Sequence, residues 1–302
     1  MKKLRRHVAL AVDGGGIRGV MIARALMELE RALGRPLAGV FELTAGTSTG
    51  SIIAAALAAG LSAERVHALY LELGRRVFPR SIRSCLWPVF RWRYPSGPLA
   101  DALREHLGDM TMGDFWRREP RRDVVIVVRD LVENRSRFIK PWKPEYAGFP
   151  AWKAVLASST VPTYFPVVDG RFVDGGVGSY SNPCYVAAYE ATRCLNWNPR
   201  ETTLISIGSG RTPDALAPHE ADRFRPLRWL QPILDTFLDG ANDQQVHLVR
   251  EFFPGLDFRR FQIDIPRIEM DDVDRMEELS ALGERLGGAI VADKTDPQTS
   301  SV

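Results

Sequence analysis

The sequence predicts an α/β fold with a largely parallel central sheet, and three observations carry that prediction. Apolar, strand-like runs at residues 8–12, 124–128, 203–207 and 258–263 alternate with segments of helical periodicity, the pattern of strands connected through helices. Two such runs, at 8–12 and 40–45, pass through glycine-rich turns directly into helical segments. The chain has 302 residues, 45% of them hydrophobic and 25% charged, which is long enough for one large core in a single domain.

The first run leads into Asp13-Gly14-Gly15-Gly16-Ile17-Arg18-Gly19 and a helical pattern over 20–33. A glycine-rich turn ahead of a helix presents backbone N–H groups and the positive end of the helix dipole to an anion. The segment also satisfies G-x-G-x-x-G, the dinucleotide fingerprint. Two features weigh against a nucleotide. Asp13 sets a carboxylate where a pyrophosphate would sit, and the acidic residues that follow, Glu28 and Glu30, fall inside the helix rather than at the end of a second strand. The loop suits an oxyanion as well as a phosphate.

The second junction is Gly46-Thr47-Ser48-Thr49-Gly50, with a strand expected over 40–45 and a helix over 51–59 that stops at Gly60. G-x-S-x-G between a strand and a helix is the setting of a nucleophile elbow, where a sharp turn exposes a serine hydroxyl and small neighbours let the turn close. The plainer alternative is a tight glycine turn carrying an incidental serine.

Between Glu72 and Asp101 the chain has no acidic residue. Arg75, Arg76, Arg80, Arg83, Arg91 and Arg93 are interleaved there with Phe78, Leu86, Trp87, Phe90, Trp92 and Tyr94, and Pro79, Pro88 and Pro95 interrupt any long helix. This reads as an irregular basic-aromatic insert over 75–94. Two functions fit it: contact with an anionic lipid surface, where rings sit at headgroup level and cations meet phosphate, or a cap whose aromatics pack on the core while its arginines face water.

Asp174-Gly175-Gly176 is alone a common turn signal, and its setting gives it weight. With residues 157–166 upstream and Asn182-Pro183 downstream, the three glycine motifs resemble, in order, those of the patatin-like phospholipases. Residues 204–210 and 239–243 look like later landmarks of that family, so the resemblance covers roughly residues 8–265. It implies a three-layer α/β fold with a mostly parallel central sheet flanked by helices. It further implies a catalytic core over 7–200, a continuation of the same domain over 201–292 and a flexible tail over 293–302.

The resemblance implies a Ser-Asp dyad, with Ser48 as nucleophile and Asp174 as base. The oxyanion hole would comprise Gly14, Gly15 and Gly16 with Arg18 at its edge, supported by Asp13, Gly19, Gly46, Gly50, Gly175 and Gly176. An aspartate near its reference pKa of about 3.9 is a weak base for a hydroxyl at neutral pH, so positioning and oxyanion stabilisation are expected to supply most of the rate. The implied activity is acyl hydrolysis of phospholipid or other glycerolipid esters through an acyl-enzyme. A short-chain carboxylesterase and a non-catalytic nucleotide- or lipid-binding regulator are the alternatives. His219 and His247 follow Asp174 in the Ser, Asp, His order of a triad, but neither has a recognisable setting, and His7, His67 and His106 precede it.

Composition bounds the remaining classes. A net charge of +3 is too small to suggest nucleic acid. Cys85, Cys184 and Cys194 form no C-x-x-C pair, which suits a reducing compartment. No metal-ligand cluster is visible, so neither metal nor cofactor is expected. Lys2, Lys3, Arg5 and Arg6 precede an apolar run that stops at Asp13, too short for a signal peptide, and no run nears the ~18 apolar residues of a membrane span. The expectation is a cytoplasmic protein whose membrane contact, if any, is peripheral; oligomeric partners are left open.

Overall fold

The computed structural model describes residues 1–81, 90–213, 216–229, 232–233 and 242–297. Arg83, Trp87 and Cys85, and the 239–243 landmark up to residue 241, lie outside the described residues. Strands β1 (His7–Val12), β2 (Leu43–Thr47), β3 (Asp123–Asp130), β4 (Arg135–Ile139), β5 (Phe172–Asp174), β6 (Thr202–Ile207) and β7 (Asp257–Phe261) form one sheet. Its order is β4-β3-β2-β1-β6-β7, with β5 also on β3. The pairs β1–β2, β1–β6, β2–β3 and β6–β7 are parallel, whereas β3 pairs antiparallel with β4 and β5.

Among the described residues the α-helices of six or more residues are α1 (Gly19–Leu33), α2 (Thr49–Ala58), α3 (Ala63–Val77), α4 (Gly97–Leu107), α5 (Ala151–Ser158), α6 (Cys184–Tyr189), α7 (Asn242–Phe252) and α8 (Met276–Val291). Because strand side chains alternate in direction, the register sorts them into two faces. Leu10 lies opposite Ile205, and with Val8, Val12 and Ile207 it packs in a core built with α1, α3 and α8. Val124, Ile126 and Val128 continue that face under α4 and α5. On the opposite face Ala9, Ala11, Leu43, Ala45, Val125 and Leu204 meet α6 and α7. Three layers result, as expected, and β1 is buried on both faces, as parallel strands usually are.

Several boundaries move. The strand expected over 40–45 is Leu43–Thr47, so it carries the elbow glycine Gly46 within it, opposite Val12. The helix behind it begins at Thr49 rather than residue 51. The last strand occupies Asp257–Phe261. The basic insert is less irregular than its prolines suggest, because α3 continues through Arg75 and Arg76 to Val77 and Tyr94 is core, 6% exposed. The segment from 293 is anchored at first: Asp296 is buried, its N–H donates to Arg260 O (2.9 Å), and its carboxylate accepts from Arg211 (3.2 Å). No described helix is long and apolar enough to cross a membrane.

Candidate active site

Ser48 is the residue between β2 and α2, and its backbone is held at φ 55°, ψ −129°. Side chains with a Cβ rarely adopt that conformation, so the surrounding structure must impose it. Backbone crossings do so. A Cβ on Gly46 would lie 2.2 Å from Gly50 O, and one on Gly50 would lie 2.1 Å from Val12 O, so side chains at either position would force β1, β2 and α2 apart. The Ser48 N–H donates to Ser158 Oγ (3.0 Å), and Ser48 O accepts from Ser51 N–H (2.9 Å), Ser51 Oγ (2.6 Å) and Ser159 Oγ (3.2 Å). The hydroxyl thus sits at the N-terminus of α2, where the helix dipole favours negative charge.

Asp174 ends β5, the short antiparallel strand on β3. Its N–H donates to Thr160 O (3.1 Å), and Oδ1 accepts from Gly176 N–H (2.8 Å). A Cβ on Gly175 would meet Val127 O at 2.5 Å, so that glycine lets the turn lie flat on β3. Asp174 is fully buried, and burial pushes its carboxyl up to about 7, against smaller opposing contributions from the Ser48 hydroxyl and the Gly176 N–H. Oδ2 has no hydrogen-bond partner, and Ser48 lies near enough to draw the carboxyl's pKa down against the effect of burial. The carboxyl is therefore far better matched to neutral pH than its reference value suggests. Among the described residues no hydrogen bond joins either later histidine to this pair. His219 is exposed and pairs with Asp222 (3.1 Å), and His247 lies half-buried on α7.

The glycine loop is fixed from both sides. Gly14 N–H donates to Ser181 O (2.9 Å), which commits that amide and corrects its expected place among oxyanion donors. The Gly15 and Gly16 amides are taken up by no other backbone group among the described residues. Gly16 has φ +58°, and a Cβ there would sit 2.4 Å from Met270 O, which accepts from Ile17 N–H (2.8 Å). Gly19 is required by contact too: a Cβ would lie 2.2 Å from Thr49 Oγ1. Arg18 is buried, with Nε donating to Gly15 O (3.3 Å). Beneath the loop Asp13 accepts two hydrogen bonds from Arg260, at 2.8 and 2.5 Å, and Arg260 also donates to Ser206 Oγ (2.8 Å). Sequence reading missed Arg260 and Met270, and it placed Ser158 in the 157–166 segment without giving it a role. Arg260 did leave a signal, a charge inside a strand-like run.

Two cavities meet at Ser48. One is small, about 10 Å³, roughly one water's worth of space; it is lined by Gly14, Gly15, Arg18, Ser48, Val161, Asp174, Ser181 and Met270. The other, about 110 Å³, is almost wholly apolar and runs between α2, α3 and α4 from Ser48, Gly16 and Tyr164 past Leu69, Leu73 and Leu103. Ser48, Val161 and Met270 line both. No group of three or more His, Cys, Asp or Glu side chains is gathered to hold a metal among the described residues.

The basic segment borders the apolar cavity. Arg75 and Arg76 are exposed on the last turn of α3, next to Val77 and Phe78, which line it. Arg93 N–H donates to Thr163 O (2.8 Å), beside the lining residue Tyr164. Arg91 is exposed, as is Phe90 at 45%. Two arginines have intramolecular partners: Arg93 pairs with Asp271 (2.6 Å), which Tyr94 OH also reaches (2.7 Å), and Arg80 pairs with Asp274. Trp92 is half-buried.

A strand-to-helix serine turn, a glycine loop and a buried carboxylate line one small cavity, and the serine also lines the apolar one beside it. The family description Patatin-like phospholipase matches residues 10–188. A cGAMP-activated phospholipase of Pseudomonas aeruginosa is 37% identical over 271 residues, covering 85% of this chain and 78% of that protein. A cGAMP-activated phospholipase of Vibrio cholerae is 31% identical over 61% of this chain and 57% of its own. The 85/88 kDa calcium-independent phospholipase A2 of Mus musculus is 29% identical over 74% of this chain, which spans 30% of the mouse protein. The chain belongs to the patatin-like phospholipase family, and these relationships support phospholipase activity on ester bonds.

Proposed function

We propose that the chain is a lipid acyl hydrolase of the phospholipase A type that works through Ser48 and Asp174. The observation that carries this reading is the position of Ser48 on both the apolar cavity and the small one that Asp174 and the glycine loop line. An ester bound there puts its acyl chain among aliphatic side chains and its carbonyl between the serine and the glycine loop. Asp174 takes the Ser48 proton as Oγ attacks the carbonyl carbon, and the Gly15 and Gly16 amides with the N-terminus of α2 stabilise the oxyanion. The same proton passes to the departing alkoxide, leaving an acyl-serine. Asp174 then draws a proton from water, whose oxygen attacks the acyl carbon, and returns it to Ser48 Oγ as the Oγ–acyl bond breaks and the fatty acid leaves.

The test combines free fatty acid release from mixed phosphatidylcholine and phosphatidylglycerol vesicles with mapping of a fluorophosphonate adduct. Both are run with and without cGAMP, because the Pseudomonas aeruginosa and Vibrio cholerae relatives are named as activated by it. We expect fatty acid release and an adduct on Ser48. Neither in either condition would overturn the reading, and release confined to acetate or butyrate esters would favour a short-chain carboxylesterase.

The exposed arginines beside the cavity support peripheral contact with anionic lipid. Each basic residue near such a surface contributes about 1 kcal/mol, screened within a Debye length of about 8 Å at physiological salt. Changing Arg75, Arg76 and Arg91 together to Glu is expected to weaken binding to phosphatidylglycerol vesicles at least tenfold at low salt, with the gap closing at high salt. Unchanged sedimentation with vesicles at low salt would leave the segment as a cap.

A further inference from the structure

The apolar cavity has two distinguishable ends, and helix geometry gives the distance between them. Ser48, Thr49, Ile52 and Ala56 line it from α2, a spacing that keeps them along one side of the helix. α3 returns alongside: Tyr70 OH donates to Thr49 O (3.0 Å) close to Ser48, while Leu61 N–H donates to Ala56 O (3.0 Å) where the chain turns toward α3. The near end is thus at Ser48 and Tyr70, and the far end at Ala56, Leu61 and Val66, all of which line the cavity. At 1.5 Å per residue, Ser48 and Ala56 are about 12 Å apart along α2.

We propose that Ala56 and Leu61 form the floor of the cavity and set the length of acyl chain it accepts. A chain esterified at Ser48 lies along α2, and its terminal methyl meets the floor after roughly ten carbons, since an extended chain advances about 1.25 Å per methylene over that ~12 Å. Each methylene up to the floor leaves water for aliphatic surroundings and raises kcat/KM about fourfold; methylenes beyond it add nothing. The small side chain of Ala56 is what leaves the last few ångströms open. This inference rests on the ester-hydrolase reading above.

The experiment measures kcat/KM of the full chain on monomeric p-nitrophenyl esters from two to sixteen carbons, each profile normalised to the variant's own rate on the acetate ester. The wild-type profile is expected to rise steeply and break near ten carbons. Ala56→Leu should move the break two to four carbons shorter, and Leu61→Ala should move it longer; shifts in opposite directions cannot both come from misfolding. Calorimetric affinities of saturated fatty acids of six to sixteen carbons for Ser48→Ala, alone and combined with each floor variant, should break at the same lengths without any turnover. Hydrolysis whose break ignores both floor variants overturns the floor and keeps the hydrolase. Fatty acid binding with movable breaks but no wild-type hydrolysis keeps the floor and overturns the hydrolase.

Discussion

Ser48→Ala is expected to lower ester hydrolysis by at least about a thousandfold, and Asp174→Asn by about the same factor, with both proteins folded. Neither change alters volume much at positions held mainly by their backbones: Ser48 through its N–H and carbonyl, Asp174 through its N–H to Thr160 O. The aspartate adds two signatures that a merely structural residue lacks. Its folded carboxyl is pushed up to about 7 by burial, so the wild-type kcat/KM should fall about tenfold per pH unit below that value and level off above it. Stability should run the other way. Between the ordinary value of 3.8 and about 7 the folded protein holds a proton that the unfolded chain has lost, so stability declines as pH rises through that window and the penalty is complete above it. Asp174→Asn removes the penalty, and the variant should gain melting temperature over wild type at pH 8 and lose that gain near pH 4. Activity within tenfold of wild type in either variant, measured on a soluble ester at pH 8, would remove the pair from the mechanism. His219→Ala and His247→Ala should retain most of kcat, since neither histidine bonds to the pair; a loss of several orders of magnitude would restore a triad.

What the sequence made legible follows how local each signal is. Val8 to Val12 and Gly46 to Gly50 are strand and turn by their own composition, and the elbow is decided within a few residues, so both were readable. Asp174 was identifiable only through its neighbours, because Asp-Gly-Gly says nothing about the burial that gives its carboxyl a near-neutral value. β4 was hidden because Arg135, Ser136 and Arg137 show no apolar alternation, and β5 because three residues carry no period. Neither the commitment of the Gly14 amide to Ser181 nor the seat of Gly16 against Met270 could be read, since each depends on a segment far away in sequence. Composition could not separate the two readings of the basic-aromatic segment: Tyr94 belongs to the core, as a cap requires, and Arg93 pairs with Asp271. Periodicity in α3, whose buried Val66, Leu69 and Val77 recur on one face, was the available sign that helix continues into it.

The largest expected effect on stability comes from a residue that sequence motifs did not select. Arg260 and Asp13 are 2% and 1% exposed and share a two-point ion pair under the glycine loop. Such a pair contributes little relative to apolar side chains of the same volume, but removing one member strands a charge away from water and costs about 3–5 kcal/mol. Arg260→Met should therefore lose about that much in denaturant unfolding, a drop of roughly 6–20 °C in melting temperature for a chain of this size. Asp13→Asn should be similarly harmful, because it removes the countercharge and one of the two oxygens that accept from the buried guanidinium, leaving it an amide oxygen and Ser206 Oγ. The double variant Asp13→Asn with Arg260→Met should recover part of the loss, with a coupling energy above about 1 kcal/mol in the cycle. Activity distinguishes a brace from simple packing. Asp13 precedes the loop by one residue, so the double variant, though restored in stability, should keep a raised barrier to hydrolysis with kcat lowered more than KM is raised, as expected when oxyanion donors are displaced. Additive stability losses, or a double variant with wild-type kcat, would mean that the pair fills space and does not hold the loop.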